Sequence, residues 1–181
     1  MDTIAHINEK VLTSALLFEA TGKSSAAIDS FSGWLLAALA ASVAFLLGNI
    51  DKLSSHLSAG VLRSLLSIFL TVAVLGVLEK MLAVVLAGAS AGAAVGRVMG
   101  GEVASRGIVL DVTVIFKEAE KAILPPARWV VRRSFGKAAS GDIVAAARTM
   151  TRLAQIQGMV AMVQAVMVLR CVYLISKSVA F

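Results

Sequence analysis

The sequence predicts an all-α integral membrane protein with three transmembrane helices, or four, and a cytoplasmic layer of amphipathic helices. Three observations predict it. Hydrophobic residues make up 59% of the chain and charged residues 15%, against about 45–50% and about 25% in a soluble domain. Uncharged runs reach the length needed to cross a bilayer. Positive charge is segregated, with ten of the 17 Lys and Arg residues lying in 97–152. Two prolines and few aromatics suit helices, and no sustained alternation of the kind a membrane β-barrel requires is present.

The 181 residues suffice for one membrane domain, 1–181. A single cysteine, Cys171, excludes an intrachain disulfide and with it a disulfide-stapled secreted domain. The net charge of +6 would raise nucleic acid as a partner in a soluble chain. Here it clusters in one segment, where a membrane protein uses it for orientation. The first 30 residues carry Asp2, Glu9, Glu19 and Asp29 against Lys10 and Lys23. A cleaved signal peptide starts basic and has a short apolar core, so none is expected.

Residues 1–30 read as an amphipathic helix and a connector. Ile4, Ile7, Val11, Leu12, Ala15 and Phe18 recur at helical spacing over 3–21. Thr21 and Gly22 read as the helix stop, and 23–30 as a polar connector. Residues 31–50 hold twenty residues without a charge. At ~1.5 Å per residue they cover about 30 Å, the bilayer core. Trp34 marks one end, as interfacial aromatics do. Residues 51–58 read as a turn. His56 lies there and His6 far upstream, with no cysteine partner, so no metal site is expected.

Residues 61–78 form a second apolar run, with Arg63 near its start, placed to snorkel to headgroups. No turn chemistry separates Leu78 from Met81. Residues 60–100 therefore read as one long helix, the alternative being a hairpin at Glu79 and Lys80. In the second half of that helix, Gly88, Gly92, Gly96 and Gly100 are spaced by four, and every residue of 88–94 is Gly, Ala or Ser. Residues four apart stack on one helix face. Glycine costs about 1 kcal/mol against alanine in a helix interior, so the series needs a reason. Close approach of another helix, as in small-xxx-small motifs, supplies one.

Residues 102–137 read as cytoplasmic amphipathic helices. The first runs over 102–123, with Ile108, Val112, Ile115, Phe116, Ala119 and Ile123 on one face, and ends at Pro125 and Pro126. The second, 127–137, sets Trp129 and Phe135 among Arg128, Arg132, Arg133 and Lys137. Arg128, Trp129, Arg132, Arg133 and Lys137 suit lipid headgroups or a protein partner. Single-stranded nucleic acid is the weaker alternative between membrane helices. Ser140, Gly141 and Asp142 break the chain. Residues 143–178 form a last long helix that holds the final membrane segment, with Arg148 and Arg152 at its cytoplasmic side.

The positive-inside rule places 97–152 in the cytoplasm, and the composition suggests a bacterial inner membrane. Glu79 is the one acid between two apolar runs. It faces headgroups with Lys80, or serves gating or an ion path. Gln157 and Gln164, seven apart, bond between helices or line a pore in an oligomer. Arg170 reaches headgroups or an acid on a neighbouring helix. No nucleophile elbow, carboxylate pair or phosphate loop is present, so neither an enzyme nor a cofactor is expected. Two function classes remain. One is a self-associating channel, pore or membrane-disrupting effector packed through the glycines. The other is a partner-binding subunit, of sensor, immunity or scaffold type, docking a protein on its basic face.

Overall fold

The computed structural model describes residues 2–53, 57–108, 111–121, 125 and 127–179. Helices account for nearly all of them, and no strand occurs among the described residues. The helices are α1 (Asp2–Gly48), α2 (Ile50–Leu53), α3 (Ala59–Ser105), α4 (Val112–Lys121), α5 (Ala127–Ala139) and α6 (Ala145–Val179). α1, α3 and α6 are each long and apolar enough to cross a membrane. The chain is therefore all-α among the described residues, with three helices that could span a membrane. The 47 residues of α3 extend ~70 Å at ~1.5 Å per residue, more than twice a hydrocarbon core of ~30 Å.

The chain divides into two compact units. Unit 1 comprises Met1–Lys23 and Val85–Ala154. Unit 2 comprises Ser24–Val84 and Gln155–Phe181. Each long helix contributes a segment to both. In unit 2 those segments are about 25 residues long, ~38 Å of helix each, enough to cross a bilayer.

Unit 2 packs Leu39 of α1, Leu65, Ile68 and Val72 of α3, and Cys171 of α6 into one core. Gly76 is buried there, and a Cβ on it would run into the Leu36 side chain. Ser42, Ser64 and Thr71 each donate to the carbonyl four residues earlier. A helix can thus carry hydroxyls through an apolar span.

Unit 1 has its own core of Leu86, Met150 and Ala154, with Phe18, Ala89 and Leu153 packed against it. The Thr21 and Thr151 hydroxyls meet at 3.1 Å. Phe116 of α4 stacks on Phe135 of α5 with centroids 4.5 Å apart and planes 12° from parallel.

Several expected boundaries differ. α1 passes unbroken through Thr21, Gly22 and the expected connector. Gly22 is a point of close approach and not a stop, since a Cβ there would lie 2.9 Å from Ser90 Oγ. The polar residues of 23–30 do not loosen the helix, because Ser25 is buried and Asp29 is paired. The long helix expected over 60–100 is continuous as α3, with no hairpin at Glu79. The helix expected over 102–123 is divided. α3 runs on to Ser105 and closes on Gly107 at φ 69°, where Ile108 N–H reaches Val103 O and Gly107 N–H reaches Ala104 O. That is a Schellman cap, in which the left-handed residue is best a glycine. Asp111 then caps α4 by accepting from Thr113 N–H at 2.9 Å. The expected break at 140–142 is a second Schellman cap, on Gly141 at φ 98°. His56, Ile123 and Pro126 lie outside the described residues, as do the side chains of Ile4, His6, Ile7 and Val112.

Candidate functional site

Gln157 and Gln164 sit two helical turns apart on α6, so their side chains leave the same face. Both are fully buried inside unit 2, and each reaches the other two long helices. Gln157 Nε2 donates to Glu79 Oε1 of α3 at 2.5 Å and to the Ser25 carbonyl of α1 at 3.3 Å. Gln164 Nε2 donates to the Val72 carbonyl of α3 at 3.3 Å, while its Oε1 accepts from Ser32 Oγ of α1 at 2.9 Å.

These are two rungs of one ladder. Ser25 and Ser32, Val72 and Glu79, and Gln157 and Gln164 are each seven residues apart. Numbering rises along the ladder in α1 and α6 and falls in α3, so within unit 2 α3 runs antiparallel to both. Another seven residues reaches Leu39, Leu65 and Cys171, the apolar core of the unit. A strict seven-residue repeat is the signature of helices wound left-handedly, with side chains interleaved layer by layer. Here two successive layers are polar.

The rungs are not equally satisfied. In the Gln164 rung every amide atom has a partner. In the Gln157 rung, Glu79 Oε2 and Gln157 Oε1 are buried without one. Both are acceptors, and a buried unpaired polar atom costs about 1–3 kcal/mol. Glu79 is fully buried and does not face headgroups, which overturns that expectation. Lys80 follows it at about 100° around the helix. It points outward and pairs with Asp29 of α1 at 2.6 Å. Asp29 is a partner that sequence reasoning missed, because its segment read as a connector with no helix face. Ser25 and Ser32 were missed for the same reason. Their seven-residue spacing, matched to the glutamines, was the available signal.

Gln157 and Gln164 have the geometry of interhelical bonding. Both are fully buried within one chain, and of their amide atoms only Gln157 Oε1 lacks a partner.

Gly88, Gly92, Gly96 and Gly100 are all exposed on α3. No atom lies within 4 Å of a Cβ built on any of them. The close approaches within the chain occur instead at Gly22 and at Gly76. The glycine ridge is thus open in the monomer. Gly96 borders a shallow, mostly apolar groove of unit 1 with Val11, Phe18 and Ile143.

On α5 the five expected contact residues divide. Arg128 pairs with Glu120 of α4 at 3.3 Å and Arg132 approaches it at 3.9 Å. Arg133 and Lys137 are exposed, and neither has a carboxylate partner among the described residues. Trp129 is 70% exposed. Among the described residues no three His, Cys, Asp or Glu side chains gather as a metal site would require.

No family model, curated protein or solved structure matches this chain. The functional reading therefore rests on the chain's own residues.

Proposed function

We propose that this is a non-enzymatic membrane protein that works as an assembly of copies, an oligomeric channel or membrane-disrupting effector joined through the face of Gly88, Gly92, Gly96 and Gly100. The observation that carries the reading is the open ridge. Four glycines at one period lower the intrinsic stability of α3, yet no side chain of the same chain fills the space they leave. A helix from a second copy can approach that backbone closely, and in a bilayer such packing drives association. Unit 2 buries both amides completely, so a conducting path would lie between copies and would be lined by groups other than Gln157 and Gln164. The positive charge of 97–152 favours a cytoplasmic position for that segment, and a bacterial inner membrane suits the composition.

Gly92→Leu tests the reading. The new side chain meets nothing in its own chain, so helicity and unfolding should be retained. The detergent-corrected particle mass should fall from an oligomer to a monomer, and vesicle leakage should fall with it. A wild-type monomer, or an oligomer indifferent to Gly92→Leu, would remove the ridge from the mechanism.

A second reading has its own observation. Trp129, Arg133 and Lys137 stand exposed on one short helix, without acidic partners among the described residues. A partner-binding subunit would dock an acidic protein surface there. Arg133→Glu with Lys137→Glu should then abolish a stoichiometric pull-down while leaving particle mass unchanged.

A further inference from the structure

Unit 2 carries a second polar feature, on its outer surface. Arg63, Ser64, Ser67 and Thr71 of α3 line a groove of about 400 Å³ together with Met167 and Arg170 of α6. Positions 63, 67 and 71 are four apart, so they form one stripe down the helix. Both arginines are exposed. No carboxylate lines the groove, and among the described residues neither arginine has an ion-pair partner. Of the other cations within the described apolar spans of this unit, Lys80 is neutralised by Asp29 and Lys177 sits in the last turn of α6, and the only acid there besides Asp29, Glu79, is buried on the ladder.

Two guanidiniums close to one groove in an apolar surface call for an anion from outside the chain. The donors on offer are specific. Ser64 and Thr71 hydroxyls are already committed to Gly60 and Ser67 carbonyls. That leaves the two planar guanidinium forks and the Ser67 hydroxyl. Guanidinium forks match the oxygens of a phosphodiester in a bidentate manner. The surface beside the groove is apolar, with Leu66, Leu70, Val166 and Leu169 exposed. Arg63 lies in the second turn of α3, and the stripe continues about 12 Å further along the helix to Thr71. A charged head at the arginines, with a hydrocarbon tail along Leu70 and Val166, fits both features. A soluble anion would use only the first.

We propose that Arg63 and Arg170 form a binding site for the phosphate headgroup of an anionic phospholipid, whose acyl chains lie against the neighbouring leucines and valines. The site is separate from the glycine ridge and does not depend on self-association.

The test is native mass spectrometry of the full-length protein in detergent, with phosphatidylglycerol and phosphatidylcholine supplied equally. Wild type should retain phosphatidylglycerol preferentially. Arg63→Gln with Arg170→Gln should weaken that retention at least roughly tenfold, the scale of one lost charge-assisted hydrogen bond. Arg133→Gln with Lys137→Gln on α5 should leave it in place. Lysine at 63 and 170 should restore part of it, by keeping charge without the fork. Far-UV circular dichroism reports whether each variant folds, and the single Arg63→Gln and Arg170→Gln variants give the readout if the double one does not. Equal retention of the two lipids would overturn the proposal, as would a preference that survives loss of both arginines. Inorganic phosphate binding at these arginines while phosphatidylglycerol does not would also overturn it, in favour of a soluble-anion site.

Discussion

The two units differ in the polar groups they bury. Unit 2 buries an acid, two amides and two serines between its helices, while Leu70, Val77, Val166 and Leu169 face outward. Unit 1 buries Leu86, Met150 and Ala154 and carries charge pairs such as Lys23 with Glu19, and Lys121 with Glu118, on its surface. The first arrangement is the one that hydrocarbon would favour, because a side-chain amide facing lipid has no partner. The three long helices contribute to both units, and α4 and α5 belong to unit 1 alone. Helix propensity therefore did not set the difference; the choice of face did.

The sharpest way to break this comparison is at the less satisfied rung. Gln157→Leu preserves volume but leaves both Glu79 oxygens unpaired inside the unit. It should cost about 3 kcal/mol or more. Gln164→Leu removes the same amide but strands only a serine hydroxyl, which can turn to its own helix. It should cost about 1 kcal/mol. Detergent-denaturation midpoints compare the two, and equal losses would mean that the acid is not what distinguishes the rungs. Glu79→Gln sharpens the point. The new amide can still accept from Gln157 and can also donate to its orphaned Oε1, so stability should hold or rise.

Glycines give the next contrast. Gly76→Leu forces a side chain into Leu36 and should lose about 2–3 kcal/mol. Gly92→Ala meets open space and should add up to about 1 kcal/mol to the dissociated chain. If Gly92→Ala proves as damaging as Gly76→Leu in a monomer, the ridge is already filled by something in the chain.

The smallest effect belongs to the half-exposed pair of Lys80 and Asp29. Asp29→Asn should cost less than about 1 kcal/mol, and the loss should shrink as salt is raised. A large, salt-insensitive loss would place that pair inside the packed unit with Glu79.

Helical class, the three long apolar helices and the unbroken α3 were all legible in the sequence. Each follows from local facts: uncharged length, absence of turn chemistry at Leu78 and Met81, and the scarcity of proline. The break at Gly141 was legible for the same reason, whereas Gly107 was passed over because its flanks continue a helical stripe. The connector at 23–30 was misread because Gly22 was taken as a helix stop and the polar residues after it as a loop. Polar residues that bond across helices continue one instead. For the candidate site, the spacing of Gln157 and Gln164 and the cost of Glu79 could be read directly. Their partners could not.

By itself, then, the sequence determined which segments are helical, which lengths can cross a bilayer, and that Gln157 and Gln164 share one face of the last helix, seven residues apart. Those are properties of one helix at a time. Only the tertiary structure decided that the three repeats share one register, with Glu79 opposite Gln157 and Val72 opposite Gln164. It also decided that the amides turn inward, that Gly22 and Gly76 make the close contacts, and that the glycine ridge stays open. The physical reason is that a heptad repeat fixes the face of a helix but leaves its partner and its sliding position free. The hydrogen bonds that select one position exist only when three helices meet.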